Sequence, residues 1–199
     1  MEFNIIKIKH RVNDISTLIN TPTNIGVEVD IHAYGSKLVT AHDAFQNSFN
    51  FEDWLDHCGE RFVIFNIKEE GIENKVLELI ELKNLKNYFF LDLSFPVIRK
   101  MVKNKERNIA IRVSEYEPVE MAEKMKSYLD WIWLDCFEGF PLSQKGADRI
   151  NLTGLNVCIV SPELQGFPRT KDEITFFKNK IQEYNLNVKA VCTKFPELW

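Results

Sequence analysis

Along the chain, short apolar runs rich in β-branched and aromatic residues alternate with stretches whose apolar positions recur at helical spacing. The runs are Asn4–Lys9, Ile25–Ile31, Phe62–Ile67, Tyr88–Leu93, Asn108–Val113, Trp131–Asp135, Asn156–Val160 and Val188–Cys192. Most are continuous rather than alternating, the pattern of strands buried on both faces in a parallel sheet. Between them, Glu73–Lys86 aligns Val76, Leu77, Ile80 and Leu85, and predicts an amphipathic helix. Phe51–Cys58 and Lys171–Tyr184 read the same way, and Pro96 and Pro118 sit where helices start. Lys37–Thr40, after the Tyr34-Gly35 turn, predicts a short hairpin arm.

Eight strand segments in 199 residues leave roughly 25 residues for each strand–helix unit, which implies a parallel sheet, open or closed. Eight strands match the (β/α)8 TIM barrel in number, and a chain below the usual length of about 250 residues makes it a trimmed one. The sequence after Cys192 is too short for a full last helix. An open doubly wound sheet would carry a GxGxxG turn after its first strand, and none is present. No Gly/Ser linker or low-complexity stretch marks a boundary, so the expectation is a single α/β domain over residues 1–199.

Composition narrows the partners. Lys plus Arg is 25 against 29 Asp plus Glu, a formal charge of −4, which leaves no cationic footprint for nucleic acid. No segment approaches the roughly 18 apolar residues of a membrane helix, and the N-terminus lacks a signal-peptide pattern. Cys58, Cys136, Cys158 and Cys192 are far apart, with no CxxC pair. They read as reduced core residues, which makes the cytoplasm the expected compartment. The aromatic end, Phe195-Pro196-Glu197-Leu198-Trp199, reads as core. Left exposed, it would instead favour a homodimer.

In a barrel, the C-terminal ends of the strands share one mouth. The residues there are His10-Arg11, Glu28 and Asp30, Asn66 and Lys68, Asp92, Arg112, Asp135, Ser161 and Glu163, and Thr193-Lys194. Glu28 and Asp30, two apart on a strand, lie on one face. Two such carboxylates need a cation or a shared proton, and hard ions such as Mg2+ or Ca2+ take oxygen ligands. A strand-end pair bridged to Arg or Lys is the plainer alternative. Asn66 can add an amide oxygen, and the Lys68 ammonium can hold an anion. His10 and His42 are the acid–base candidates, with Asp43 placed to orient His42 or to cap the next turn. His32, in the loop after Asp30, and His57, near a helix end, carry less interest. Arg112, Asp92, Asp135 and Glu163 suit phosphate or hydroxyl contacts.

These stretches together resemble the glycerophosphodiester phosphodiesterase family of the phospholipase C-like phosphodiesterases. The matching pieces are Ile8-Lys9-His10-Arg11, Gly26-Val27-Glu28-Val29-Asp30-Ile31, Leu38-Val39-Thr40-Ala41-His42-Asp43, Phe65-Asn66-Ile67-Lys68 and Thr193-Lys194-Phe195-Pro196. The resemblance implies a metal-dependent phosphodiesterase acting on a small glycerophosphodiester-like or glycan-linked substrate. His10 and His42 would be its acid–base pair, Glu28, Asp30 and Asn66 its metal set, and Arg11 and Lys68 its phosphate contacts. Asn66 replaces the family's third carboxylate, Val12 its glycine and Lys194 a common aspartate, and its small inserted subdomain is missing. A barrel that binds a phosphorylated ligand without turnover is the alternative. A metal-free lyase or isomerase using Lys68 as a Schiff-base amine is a third reading.

Overall fold

The computed structural model describes residues 5–165 and 171–199; Asn4, the expected start of the first strand, lies outside them. Strands and helices alternate, and the contacts gather into two compact units: Ile8–Met101, and Val102–Trp199 with the stretch ahead of Ile8.

In the first unit, the end of β1 (Ile6–Lys9), β2 (Gly26–Tyr34), β5 (Val63–Ile67) and β6 (Tyr88–Leu91) pair in parallel, with β2 between β1 and β5. The antiparallel arms β3 (Lys37–Thr40) and β4 (Phe49–Asn50) fold back on β2. α1 (Ile15–Asn20), α2 (Phe51–Asp56), α3 (Glu73–Leu82) and the start of α4 (Phe95–Lys103) complete it. Caps set the short helices: the Asp14 carboxylate accepts from Thr17 N at 2.7 Å, and Asn50 Oδ1 accepts from Glu52 N at 2.8 Å. The core is aromatic. Phe65 meets Phe51 edge-on at 5.8 Å and Phe90 at 6.1 Å, and Trp54 donates its indole N–H to Val12 O at 2.9 Å. Each such ring contributes roughly 1.5–3 kcal/mol by leaving water. The Trp54 bond also ties α2 to the loop that follows β1.

In the second unit, β7 (Ala110–Val113), β8 (Trp131–Leu134), β9 (Asn156–Val160) and β10 (Val188–Thr193) are parallel in that order. α5 (Val119–Met125), α6 (Gln144–Thr153) and α7 (Lys171–Glu183) join them. Ser143 caps α6, and Gly154 ends it at φ 73, a left-handed residue that only glycine takes without strain. A 3-10 turn, Pro196–Leu198, follows β10, and Trp199 is buried with its indole N–H on Ser161 Oγ at 2.9 Å. All four cysteines are buried thiols.

Several expected boundaries shift, each for a local reason. β6 stops at Leu91 because Asp92 turns left-handed, at φ 61. α3 stops at Leu82 because Asn84 does the same at φ 55, and Leu85 N returns to Ile80 O at 3.1 Å. β2 runs past Ile31 to Tyr34 because β3 supplies partners for Ile31 through Tyr34. His32 is therefore a buried strand residue and not a loop residue. α1 and α6 were not signalled by apolar spacing; their signals are the caps.

Gly26 opens β2 where β1 and β5 close in. A Cβ there would stand 2.9 Å from Phe62 O and 3.0 Å from Ile8 Cγ1. Gly26→Ala is expected to lower unfolding free energy by about 1–3 kcal/mol through overpacking. Urea denaturation checks this, and an unchanged midpoint would show that the strands have room to part.

Candidate functional site

The pleat of β2 puts Glu28 and Asp30 on one face, and both residues are 0% exposed. The β2–β5 register sets Asn66 beside Asp30. From there its Nδ2 donates to Glu28 Oε1 at 2.9 Å and to Asp30 Oδ1 at 3.1 Å. Arg11 adopts φ 53, a conformation that non-glycine residues rarely take, and its backbone N–H donates to Glu28 Oε2 at 2.7 Å. His10 Nε2 lies 3.8 Å from the same oxygen. Lys68 Nζ sits between Asp30 Oδ1 at 3.4 Å and Asp92 Oδ2 at 3.3 Å. Asn13 completes the clamp: its Nδ2 donates to Asp30 Oδ2 and its Oδ1 accepts from Asp30 N, both at 2.9 Å. Every oxygen of the two carboxylates thus has a partner from the chain.

Those partners do not cancel the electrostatic cost. The Glu28 carboxyl is pushed up to about 8 by burial first and by the Asp30 carboxylate second, against the pull of the Arg11 N–H, Asn66 and Lys68.

His42 follows the hairpin arm β3. Its ring Nδ1 meets Asp43 Oδ1 at 2.7 Å, and the side chain is 40% exposed. Asp43 is held below the usual carboxylate range by that bond, and the Arg11 charge adds to the effect. His42 O accepts from His32 Nε2 at 2.9 Å. A carbonyl can only accept, so that nitrogen carries the proton. Its other nitrogen, Nδ1, lies 3.9 Å from Glu69 Oε2, which accepts from Ala33 N at 3.0 Å. His32 thus fixes the loop that presents His42.

The structure gathers His10, Glu28, Asp30, Asn66, Lys68 and the Arg11 backbone into one cluster, with Asp92 at its edge. The other strand-end residues lie in the second unit. Arg112 Nη1 is 2.6 Å from Asp135 Oδ2, and Asp135 also accepts from Cys136 N, Trp133 Nε1 and Gln165 Nε2. Glu163 accepts from Thr193 Oγ1 at 2.5 Å, Lys194 N at 2.9 Å and Ser161 Oγ. These two carboxylates tie strand ends together.

Among the described residues no group of three or more His, Cys, Asp and Glu is placed to hold a metal. The cluster instead offers two carboxylates and an amide. Asn66 Oδ1 is buried with no hydrogen-bond partner, while its Nδ2 serves both acids. A half-turn of the planar amide exchanges the two atoms and presents a third oxygen beside the carboxylates. Only with the amide turned would Glu28, Asp30 and Asn66 together offer three oxygens, the kind of donor a hard divalent cation takes.

No family model matches the chain, and no curated relative does. Solved structures do. A glycerophosphodiester phosphodiesterase from Agrobacterium tumefaciens is 11% identical, with a TM-score of 0.65 over 98% of this chain and 97% of that one. A glycerophosphoryl diester phosphodiesterase from Parabacteroides distasonis is 12% identical, with a TM-score of 0.68 over 98% and 84%. The tryptophan synthase alpha subunit of Campylobacter jejuni is 13% identical, with a TM-score of 0.63 over 96% and 87%. The fold is a trimmed (β/α)8 barrel. At such identities the likeness reaches no further than the fold. No helix among the described residues is long and apolar enough to cross a membrane.

Sequence reasoning missed Asn13 and misplaced His32. Asn13 stands two residues after Arg11, in a loop with no strand or helix period to give it a direction. For His32 a signal existed, since Glu28, Asp30 and His32 share the two-residue period.

Glu28 gives a pH test with a definite sign. Its folded value, about 8, lies above the ordinary 4.5, so the native chain binds this proton more tightly than the unfolded chain does. The stabilisation is complete below 4.5 and is lost as pH rises towards 8. Without added metal, Glu28→Gln is expected to flatten the fall in Tm between pH 5 and 8.5. Parallel Tm profiles for the two proteins would refute the shift.

Proposed function

We propose that the Ile8–Met101 unit carries a phosphodiesterase centre for a small phosphodiester, assisted by a divalent cation. The observation that carries this reading is the buried Glu28–Asp30–Asn66 set with an imidazole at one end and an ammonium at the other. The order of the His-Arg, Glu-x-Asp, His-Asp and Asn-x-Lys stretches supports it, as do the phosphodiesterases among the structural neighbours.

The chain's own residues divide the work. Lys68, anchored between Asp30 and Asp92, and the Arg11 guanidinium hold the phosphoryl oxygens and balance the charge that grows on them. Asp43 holds His42 through Nδ1, which leaves Nε2 as the nitrogen that exchanges a proton. His10, beside Glu28, is the second imidazole. One ring takes the proton of the attacking hydroxyl or water, and the other returns a proton to the departing alkoxide. The P–O bond to the incoming oxygen forms as the bond to the leaving oxygen breaks. A hard cation such as Mg2+ or Ca2+, held by Glu28, Asp30 and Asn66, supplies Lewis-acid stabilisation of the phosphoryl oxygens. Arg112 keeps its guanidinium on Asp135 and is assigned no part.

One observation favours a second reading, in which a phosphorylated ligand binds without turnover: the Asn66 amide already satisfies both acids.

The test is hydrolysis of a glycerophosphodiester and of bis-nitrophenyl phosphate, with Mg2+ or Ca2+ and with chelator. Metal-dependent turnover is expected, with His10→Ala and His42→Ala each losing about a hundredfold or more. Wild-type turnover in either variant would refute the assigned roles. Phosphodiester binding by calorimetry with no hydrolysis across the panel would establish the second reading.

A further inference from the structure

We infer that His32 and Glu69 are positioning residues that lock the His42 loop to the strand carrying the acids and to Lys68. This rests on the phosphodiester reading of the site and adds to it the brace that places its exposed imidazole.

The brace is a strand ladder continued past the end of its strand. β5 stops at Ile67, yet two further bonds carry the pairing along β2. Lys68 N donates to Ile31 O at 3.0 Å, and Ala33 N donates to Glu69 Oε2 at 3.0 Å. In the second bond a side-chain oxygen stands where a strand carbonyl would. His32 lies between these anchors, and β3 pairs with β2 at the same place, with His32 opposite Val39. From there the buried ring reaches the chain beyond β3, where its Nε2 donates to His42 O at 2.9 Å.

The other bonds of the His42 loop cannot do this. Asp43 takes His42 Nδ1, and Gln46 donates to Asp43 at 3.3 Å. All three residues ride on one loop, so these bonds orient the ring within the loop and leave the loop free to shift against the acids. The His32 bond runs to a residue of β2, the strand that holds Glu28 and Asp30. The ring of His32 faces protein on both nitrogens, with Nδ1 3.9 Å from Glu69 Oε2, and so works through His42 rather than on substrate. A shift of about 1 Å in a reacting group can cost about a hundredfold in rate, so a single buried bond at this point governs turnover.

Paired variants of the full chain test this. His32→Leu removes the donor, and His32→Gln keeps an N–H for the His42 carbonyl. Glu69→Ala removes the acceptor, and Glu69→Gln keeps an oxygen for Ala33 N without the charge. With bis-nitrophenyl phosphate, His32→Leu is expected to lower kcat about tenfold or more and to leave KM within about twofold. Glu69→Ala is expected to move kcat in the same direction, and each Gln variant to recover most of the loss. A second readout needs no turnover. The His42 ring NMR signal, assigned by its absence from His42→Ala, is expected to stay sharp in wild type and both Gln variants, and to broaden or split in His32→Leu and Glu69→Ala. Wild-type kcat, or an unchanged His42 signal, in His32→Leu overturns the inference. So does a loss that neither Gln variant recovers, which is damage to packing alone. Should His32→Leu fail to fold, the Glu69 pair, at a half-exposed side chain, decides in its place. A His42 signal that responds as expected in a protein without hydrolysis overturns the enzyme reading alone. Hydrolysis with an indifferent His42 overturns only this inference.

Discussion

Two carboxylates fully withdrawn from water on the same face of one strand are the constraint around which the Ile8–Met101 unit is built. Alone, Glu28 and Asp30 would repel each other in a medium that screens poorly, and each would also lose its hydration. The fold answers with directed donors. A backbone N–H comes from the left-handed turn at Arg11, two side-chain donors come from Asn13 and Asn66, and an ammonium comes from Lys68. These donors arrive from the two strands that flank β2, β1 and β5, so the β1–β2 and β2–β5 registers must both hold for the acids to be tolerated. A slip of one residue would turn Asn66 to the far side of the sheet and leave two buried acids without their shared donor. Register and electrostatics enforce each other here.

That dependence explains features that look merely structural. Gly26 lets β1 and β5 approach the start of β2 closely. Trp54 holds the loop after β1 through Val12 O, and Thr40 Oγ1 holds the same loop through Asn13 O at 2.6 Å. Asn13 is thereby positioned from two elements before it reaches Asp30. The hairpin arm that delivers Thr40 also delivers His42, whose carbonyl is pinned by His32. The scaffold of the acids and the support of the exposed imidazole thus share β3.

How much of this was legible in the sequence follows from the range of each signal. Continuous apolar runs report burial on both faces, and they placed the eight parallel strands. The two-residue period placed Glu28 and Asp30 together, and the same spacing paired Asn66 with Lys68. Strand ends were less legible, because single left-handed residues such as Asp92 set them and an aspartate announces a turn only weakly. Asn13 was invisible, since its role depends on a loop path fixed by Trp54 and Thr40. The way the Asn66 amide faces lay equally beyond reach: residue type gives a donor and an acceptor, and only the packing decides which one meets the acids. Asp135 and Glu163 stand at strand ends as well, and what the sequence did not show is that each accepts from its own neighbours and ties strand ends together.

The contrast between those saturated acids and the β2 pair separates anchoring from chemistry. Glu163 accepts from two hydroxyls and a backbone amide around β9 and β10, and Trp199 reaches the same network through Ser161. Among the described residues, none of these side chains is left with an unpaired buried atom. Around β2 the donors are also complete, but one acceptor, Asn66 Oδ1, is stranded. A fully satisfied acid needs no visitor. The β2 pair differs in this: the donor its two acids share, Asn66, also carries a buried acceptor that the packing leaves unsatisfied.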